Sequence, residues 1–315
     1  MNQTNPVDPV ATPRVSVIVT TFNGASRLPM LFAALDRQTL PRDQFEIIVA
    51  DDCSTDDTAA VAASHPGVRV VSAPEPYGQP RASNLGIELS SAPVLAFTDD
   101  DTVPSAEWLE RGLARMEATP SGLFAGRIVL QLPEPPTVAS LVDLGRGYLN
   151  QEDHVAEGYG ATANLWMRRD VAEALGGFDA RFLSQGHDRD FGERAREAGI
   201  EMVYGEDVVL EHPARSRARD LAKVAYRLGR GAPELRNHSV GRLRELRPFW
   251  RQSHYYRPWR SIWGLSRVRD HGYAPTLPQR LQMRVVQYAF IQLPLVAGSV
   301  AGEARERRRA RGDQV

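Results

Sequence analysis

The 315-residue chain holds 38 Lys+Arg against 39 Asp+Glu, with 42% hydrophobic and 24% charged residues, a balance that suits a globular protein with one large core or two modest ones and excludes extensive disorder. Its one cysteine, Cys53, excludes an internal disulfide and any cysteine-built zinc cluster, agrees with a reducing compartment, and is expected as a small buried side chain. The net charge of -1 hides a partition, because residues 1–214 carry 16 basic and 32 acidic side chains and residues 215–315 carry 22 and 7, so an acidic body precedes a basic C-terminal third.

The first fourteen residues are polar and proline-containing, with no basic start followed by an apolar stretch, so a cytoplasmic location is expected. Residues 15–20 form a β-branched apolar run that predicts a strand, and residues 26–38 predict a helix with Leu28, Leu31, Phe32 and Leu35 on one face. Residues 45–50, 68–72 and 93–98 predict further strands, with helical patterns at 58–63, 80–89 and 106–116. This alternation predicts an α/β domain with a mostly parallel sheet covered on both faces, whose ligands bind at the carboxyl ends of the strands. Beyond it, 123–130 predicts a strand, 137–159 a variable excursion after Pro133-Glu134-Pro135-Pro136, and 161–167 another strand. Residues 169–175 and 187–198 predict helices closed by Gly176-Gly177 and by Gly199. The expected organisation is a flexible 1–14, a domain over 15–214, a helical region over 215–302 and a basic tail over 303–315.

Asp99, Asp100 and Asp101 directly follow an apolar strand. Neighbouring carboxylates repel and raise one another's pKa, so a positive partner is expected there. Hard divalent cations, Mg2+ or Mn2+, take oxygen ligands and bridge carboxylates to substrate phosphates. The other reading is a solvated acidic turn ahead of a helix N-capped by Ser105. Thr21, Asn23, Asp51 and Asp52 also follow strand ends, so three separated segments are expected to converge on one crevice. The glycine pattern of dinucleotide folds is absent after the first strand, and no phosphate-binding Gly-x-x-x-x-Gly-Lys-Ser/Thr loop occurs in a chain whose one lysine is Lys223. Hydride transfer and P-loop chemistry are disfavoured, as is nucleotidyl transfer, which needs a glycine-rich basic first loop.

Six segments, VSVIVTTFN (15–23), VADDCSTD (49–56), GQPRASNLG (78–86), FTDDD (97–101), GGFD (176–179) and GHDRDF (186–191), resemble inverting glycosyltransferase family 2 in sequence and order. Thr20, Cys53 and His187 stand where that family usually has proline, glycine and glutamate. The resemblance, which covers about 15–212, implies a GT-A fold and sugar transfer from a nucleoside-diphosphate donor (UDP-, GDP- or dTDP-linked) to a hydroxyl of a glycan, lipid or small molecule, as in polysaccharide or cell-envelope biosynthesis. It implies nucleotide binding by Thr21, Asn23, Asp52, Arg81 and Asp99, and Mn2+ or Mg2+ held by Asp101, with His212 as a further ligand or an ordinary turn histidine. Asp188, at a helix start where negative charge is stabilised, is the implied base. Asp190 and Trp166 are candidates near the acceptor, Asp190 alternatively organising the site and Trp166 alternatively being core. A catalytically inactive nucleotide-sugar-binding or membrane-associated scaffold is the competing reading, and would require Asp188 to face away from the crevice.

In the C-terminal third, residues 217–228 predict a helix, and residues 285–302 form an uncharged stretch interrupted by Gln287, Gln292 and Pro294 and followed by five arginines. Packing on the protein or a second subunit, lying on an anionic membrane at the inner face of the plasma membrane, and spanning it all stay open. Nucleic-acid binding is not expected, since no reading module accompanies the charge.

Overall fold

The computed structural model describes residues 12–183, 185–245 and 264–311; the Trp- and Arg-rich stretch at 249–263, most of the N-terminal segment 1–14 and the last four residues lie outside them. Strand β1 (Val15–Thr21) is buried at every position. It is central and covered on both faces, which is why it reads as an unbroken apolar run. Strands β2 (Phe45–Asp51), β3 (Val68–Ser72) and β4 (Val94–Asp99) run parallel to it, joined by α1 (Leu28–Leu35), α2 (Thr58–Ser64) and α3 (Gln79–Leu89). Helix α1 is shorter than the pattern over 26–38, because the Arg27 and Leu28 amides first turn back onto the Gly24 carbonyl and Pro29 opens the helix.

The chain continues through β5 (Val103–Pro104), α4 (Trp108–Glu117), β6 (Leu123–Gln131), α5 (Val138–Arg146), α6 (Gln151–Ala156), β7 (Asn164–Arg168), α7 (Arg169–Leu175), α8 (His187–Glu197) and β8 (Val203–Pro213). Ser105 does not cap α4: its amide donates to the Val209 carbonyl, and its own carbonyl receives Trp108 N–H and the Gln38 side chain. The excursion over 137–159 is two helices, one opened by a capping box between Thr137 and Ser140, the other by Asn150 accepting from Asp153 N–H. Among the described residues eight strands form one sheet in the order β3-β2-β1-β4-β7-β6-β8-β5. Strand β7 is antiparallel to both β4 and β6, and β5 to β8, while β6 and β8 are parallel. The sheet is therefore mixed but mostly parallel, six of its eight strands running one way and β7 and β5 the other. One face packs Val17, Leu28, Phe32, Trp108 and Trp166, the other Ile18, Phe97, Leu165, Phe178 and Phe191.

Helices α9 (Ala218–His238), α10 (Leu265–Asp270), α11 (Leu277–Gln287) and α12 (Leu293–Ala310) build a third cluster with α5, in which Leu141, Val142, Leu221, Met283 and Ile291 meet. Helix α9 runs ten residues past the expected end at 228. A Cβ on Gly229 would lie 2.0 Å from the Leu295 carbonyl and one on Gly298 2.1 Å from the Tyr226 carbonyl. These glycines let two helix backbones touch. Residues 303–310, expected in a separate basic tail, continue α12.

Candidate active site

The ends of β1, β2 and β4 open into a crevice of about 1890 Å³, walled on the far side by residues from α5, α6, α8 and the segment after β8. Of the three consecutive carboxylates, the middle one has its positive partner within the protein. Asp100 is buried, and Arg27 reaches it in a fork, Nε to Oδ1 and Nη2 to Oδ2, each at 2.7 Å, with the Thr21 hydroxyl also donating to Oδ2. Among the described residues Asp99 and Asp101 have no such arginine fork. Asp99 accepts from Gln79 Nε2 at 3.2 Å, and burial, with Asp101, Asp100 and Asp188 adding repulsion, pushes its pKa well above the usual carboxylate range.

Pairing of β5 with β8 sets Val103 opposite Glu211, which carries His212 back to the end of β4. Its Nε2 lies 3.3 Å from Asp101 Oδ1, and ligand atoms of Asp99, Asp101 and His212 all fall within 4.8 Å of one another. The His212 Nδ1–H donates to the Pro213 carbonyl at 2.9 Å, so in the neutral ring the Nε2 lone pair faces a carboxylate. Two carboxylates and an imidazole lone pair aimed at one point fit a divalent cation, and the outer carbonyl contact is the one that orients a ligating histidine.

Asp52 lines the crevice and accepts from the amides of Tyr77 at 3.0 Å and Gly78 at 2.9 Å, while burial raises its pKa. Asn23 is not part of the wall. At φ 50° it braces two loops, its amide donating to Ser54 Oγ and its Oδ1 accepting from Thr55 N–H, both at 2.8 Å. Cys53, at φ 62°, is half-buried, not enclosed. Arg81 is exposed, its guanidinium 5.9 Å from the Tyr77 ring and outside the crevice. Among the described residues a cation of the crevice wall that acts on Asp99 is Arg215, held by the fully buried Asp143 at 3.2 Å and over the Tyr148 ring at 4.9 Å, where it opposes the rise in the Asp99 pKa.

Asp188 sits in the first turn of α8 and lines the crevice, with Oδ1 3.1 Å from Nε2 of the buried His187. Asp190 points elsewhere: fully buried, it takes Arg194 Nε at 2.8 Å and Ser239 Oγ at 2.6 Å, locking α8 to the end of α9. Trp166 is core, stacked on Phe124 at 5.5 Å and edge-on to Trp108 at 5.0 Å, and its large ring fills the space beneath the sheet. Sequence reasoning missed Arg27, Gln79, Tyr148, His154 and Arg215. His154 stacks on Tyr159 at 4.6 Å, and burial lowers its pKa to about 4 and raises that of Tyr159 to about 12.

Residues 16–176 match the model of Glycosyl transferase family 2. The glycosyltransferase AglE of Haloferax volcanii is 33% identical over 223 residues, which are 70% of this chain and 73% of AglE. Other curated relatives match over less than half of their own length. Among solved structures, the mannosyltransferase PcManGT from Pyrobaculum calidifontis, in complex with GDP-Man and Mn2+, superposes with a TM-score of 0.60 and 20% identity, over 92% of this chain and 87% of that one. S. aureus TarS 1–349 in complex with UDP-GlcNAc gives 0.52 and 16%, over 95% and 92%. These likenesses establish a GT-A fold.

Proposed function

The chain belongs to glycosyl transferase family 2, and on that premise we propose that it moves a sugar from a nucleoside-diphosphate sugar to a hydroxyl acceptor, with metal dependence and inversion at the anomeric carbon. The observation that carries this reading is the convergence of Asp99, Asp101 and His212 within 4.8 Å on the crevice that Asp188 also lines. Asp52 keeps acceptor capacity for a base N–H or a ribose hydroxyl beyond its two amide contacts, and Thr21 stands beside it at the end of β1. Asp101 and His212, with Asp99, would hold Mn2+ or Mg2+, which when bound supplies neutralisation of the departing diphosphate. Arg215 offers a guanidinium to the same phosphate oxygens, and Arg81, which the resemblance implies as nucleotide-binding, lies outside the crevice.

Asp188 takes the acceptor hydroxyl's proton as the new C–O bond forms on one face of the sugar and the bond to the diphosphate oxygen breaks on the other. Tyr148, His154 and Tyr159 enclose that end of the crevice and limit water, which would otherwise compete with the acceptor. The scaffold reading required Asp188 to face away, and its place in the crevice wall favours catalysis. The donors bound in PcManGT and TarS differ in both base and sugar; the test is therefore calorimetry of UDP, GDP and dTDP, with and without Mn2+, on the native chain and on Asp101→Ala. One nucleotide should bind only with metal and lose at least about tenfold in affinity in the variant, as expected when a metal ligand is removed. Binding of none would overturn the reading.

A further inference from the structure

The last helical element has two unlike sides. Helix α11, the π turn Tyr288–Gln292 and α12 run on from Leu277 to Ala310. Met283, Ile291, Leu295, Gly298 and Gly302 turn inward and are buried against the rest of the C-terminal region. On the outer side Leu277, Leu281, Val285, Tyr288, Leu293 and Val300 are 42% to 70% exposed. At about 100° per residue Leu277, Leu281, Val285 and Tyr288 fall within about 80° of the circumference and all six within about 160°, along about 35 Å. The wider π turn contributes fewer degrees per residue and so keeps Leu293 and Val300 on the strip that Leu277 begins. A continuous apolar strip of this length implies a partner.

Charge identifies it. Arg280 and Arg284 flank the first half of the strip, and Arg307, Arg308 and Arg311 are exposed beyond its end. The two carboxylates of the element, Glu303 and Glu306, turn inward onto Arg236 at 2.7 Å and His238 at 2.9 Å. The outer side therefore presents cations at both ends and no acid. A second copy laid along the strip would set arginine against arginine in parallel and antiparallel pairing alike. Acyl chains would meet the strip and anionic headgroups the arginines. We propose that this face docks the chain flat on a bilayer rich in anionic lipid. The element is long and apolar enough to cross a membrane, but its inner side is committed to α9 through backbone contact at Gly298 and Gly302, so lipid cannot surround it.

The test is flotation of the full chain with vesicles of phosphatidylcholine alone or with roughly 30% phosphatidylglycerol, a content that gives a strongly negative surface. The chain should float with the anionic vesicles and bind the neutral ones at least tenfold more weakly. Leu281→Glu/Val285→Glu/Leu293→Glu should lower anionic-vesicle binding by at least about tenfold while keeping the native circular dichroism and nucleotide affinity. Arg307→Glu/Arg308→Glu/Arg311→Glu, which leaves the apolar strip intact, should weaken binding to the anionic vesicles only. A native chain that stays unbound, or two variants that float as it does, would overturn the proposal. A native dimer that ignores vesicles and dissociates in the leucine variant would instead make the strip an interface between copies.

Discussion

Replacing Arg27 by methionine tests whether the acidic run is as strained as its charges require. Asp100 is 5% exposed and loses two charge-assisted hydrogen bonds of 2.7 Å in that variant, keeping only the Thr21 hydroxyl, with Asp99 and Asp101 on either side. Stranding one partner of a fully buried pair costs about 3–5 kcal/mol. The Arg27 side chain is 37% exposed, so water replaces part of what it gives, and the expected loss is about 2 kcal/mol. Asp100→Asn leaves an arginine that water can reach and an amide that still meets Thr21, so it should cost about 1 kcal/mol. Urea unfolding at neutral pH in a chelator, on both single variants and the double, gives the coupling, expected at about 1–2 kcal/mol. Adding Mn2+ should shrink the penalty in Arg27→Met, because a cation bound beside Asp101 offsets the stranded charge and stabilises the state that binds it. An Arg27→Met variant within about 0.5 kcal/mol of the native chain, a typical surface substitution, or an Asp100→Asn variant that is the less stable of the two, would refute the argument.

Asp188→Asn should lower kcat by roughly 10²–10⁴ with nucleotide affinity unchanged by calorimetry; an equal loss of nucleotide binding would show that it holds the donor instead. His154 has a folded pKa of about 4, below its ordinary 6.5. The unfolded chain therefore takes up the proton first as pH falls. The stability this burial contributes is complete above pH 6.5 and is lost on the way down to about 4, at most about 3 kcal/mol. His154→Phe should flatten that part of a stability–pH curve, and an unchanged slope would count against burial as the cause. Gly298→Leu drives a side chain into the Tyr226 carbonyl, where a Cβ alone would be 2.1 Å away, and should cost about 1–3 kcal/mol in urea unfolding. Unaltered stability would mean that α9 and α12 separate easily.

The parallel half of the sheet was legible because its buried strands are continuous apolar runs and its crossovers are local. What was harder to read depends on long-range neighbours. The end expected at 228 falls inside α9, where Gly229 makes a place for another helix, and the direction of β7 is set by β4 and β6, not by its own residues. In the site, the need for positive charge at the acidic run was readable, but its source, Arg27, lies 73 residues away. Asn23, Arg81 and Asp190 have chemistry legible in the sequence, while their contacts are not: Asn23 braces a neighbouring loop, Arg81 lies near the Tyr77 ring and Asp190 holds Ser239. Arg215 stands three residues after His212 and at the point where the charge of the chain changes sign, a signal present in the sequence but visible only once the Asp143 contact is known.

The proposed metal-ligand set is assembled from parts of the chain made at different times. Asp99 and Asp101 close the stretch that builds β1 to β4 by short crossovers, whereas His212 arrives on β8, which is joined to β4 only through β7 and β6. Contacts of low sequence separation form early and those across large loops late. A refolding chain should therefore show helix and strand signal, and the paired carboxylates, before it can close a cation between them. The growth of Mn2+ affinity after dilution from denaturant would then act as a clock for the final strand, reporting the moment at which the two halves of the sheet become one.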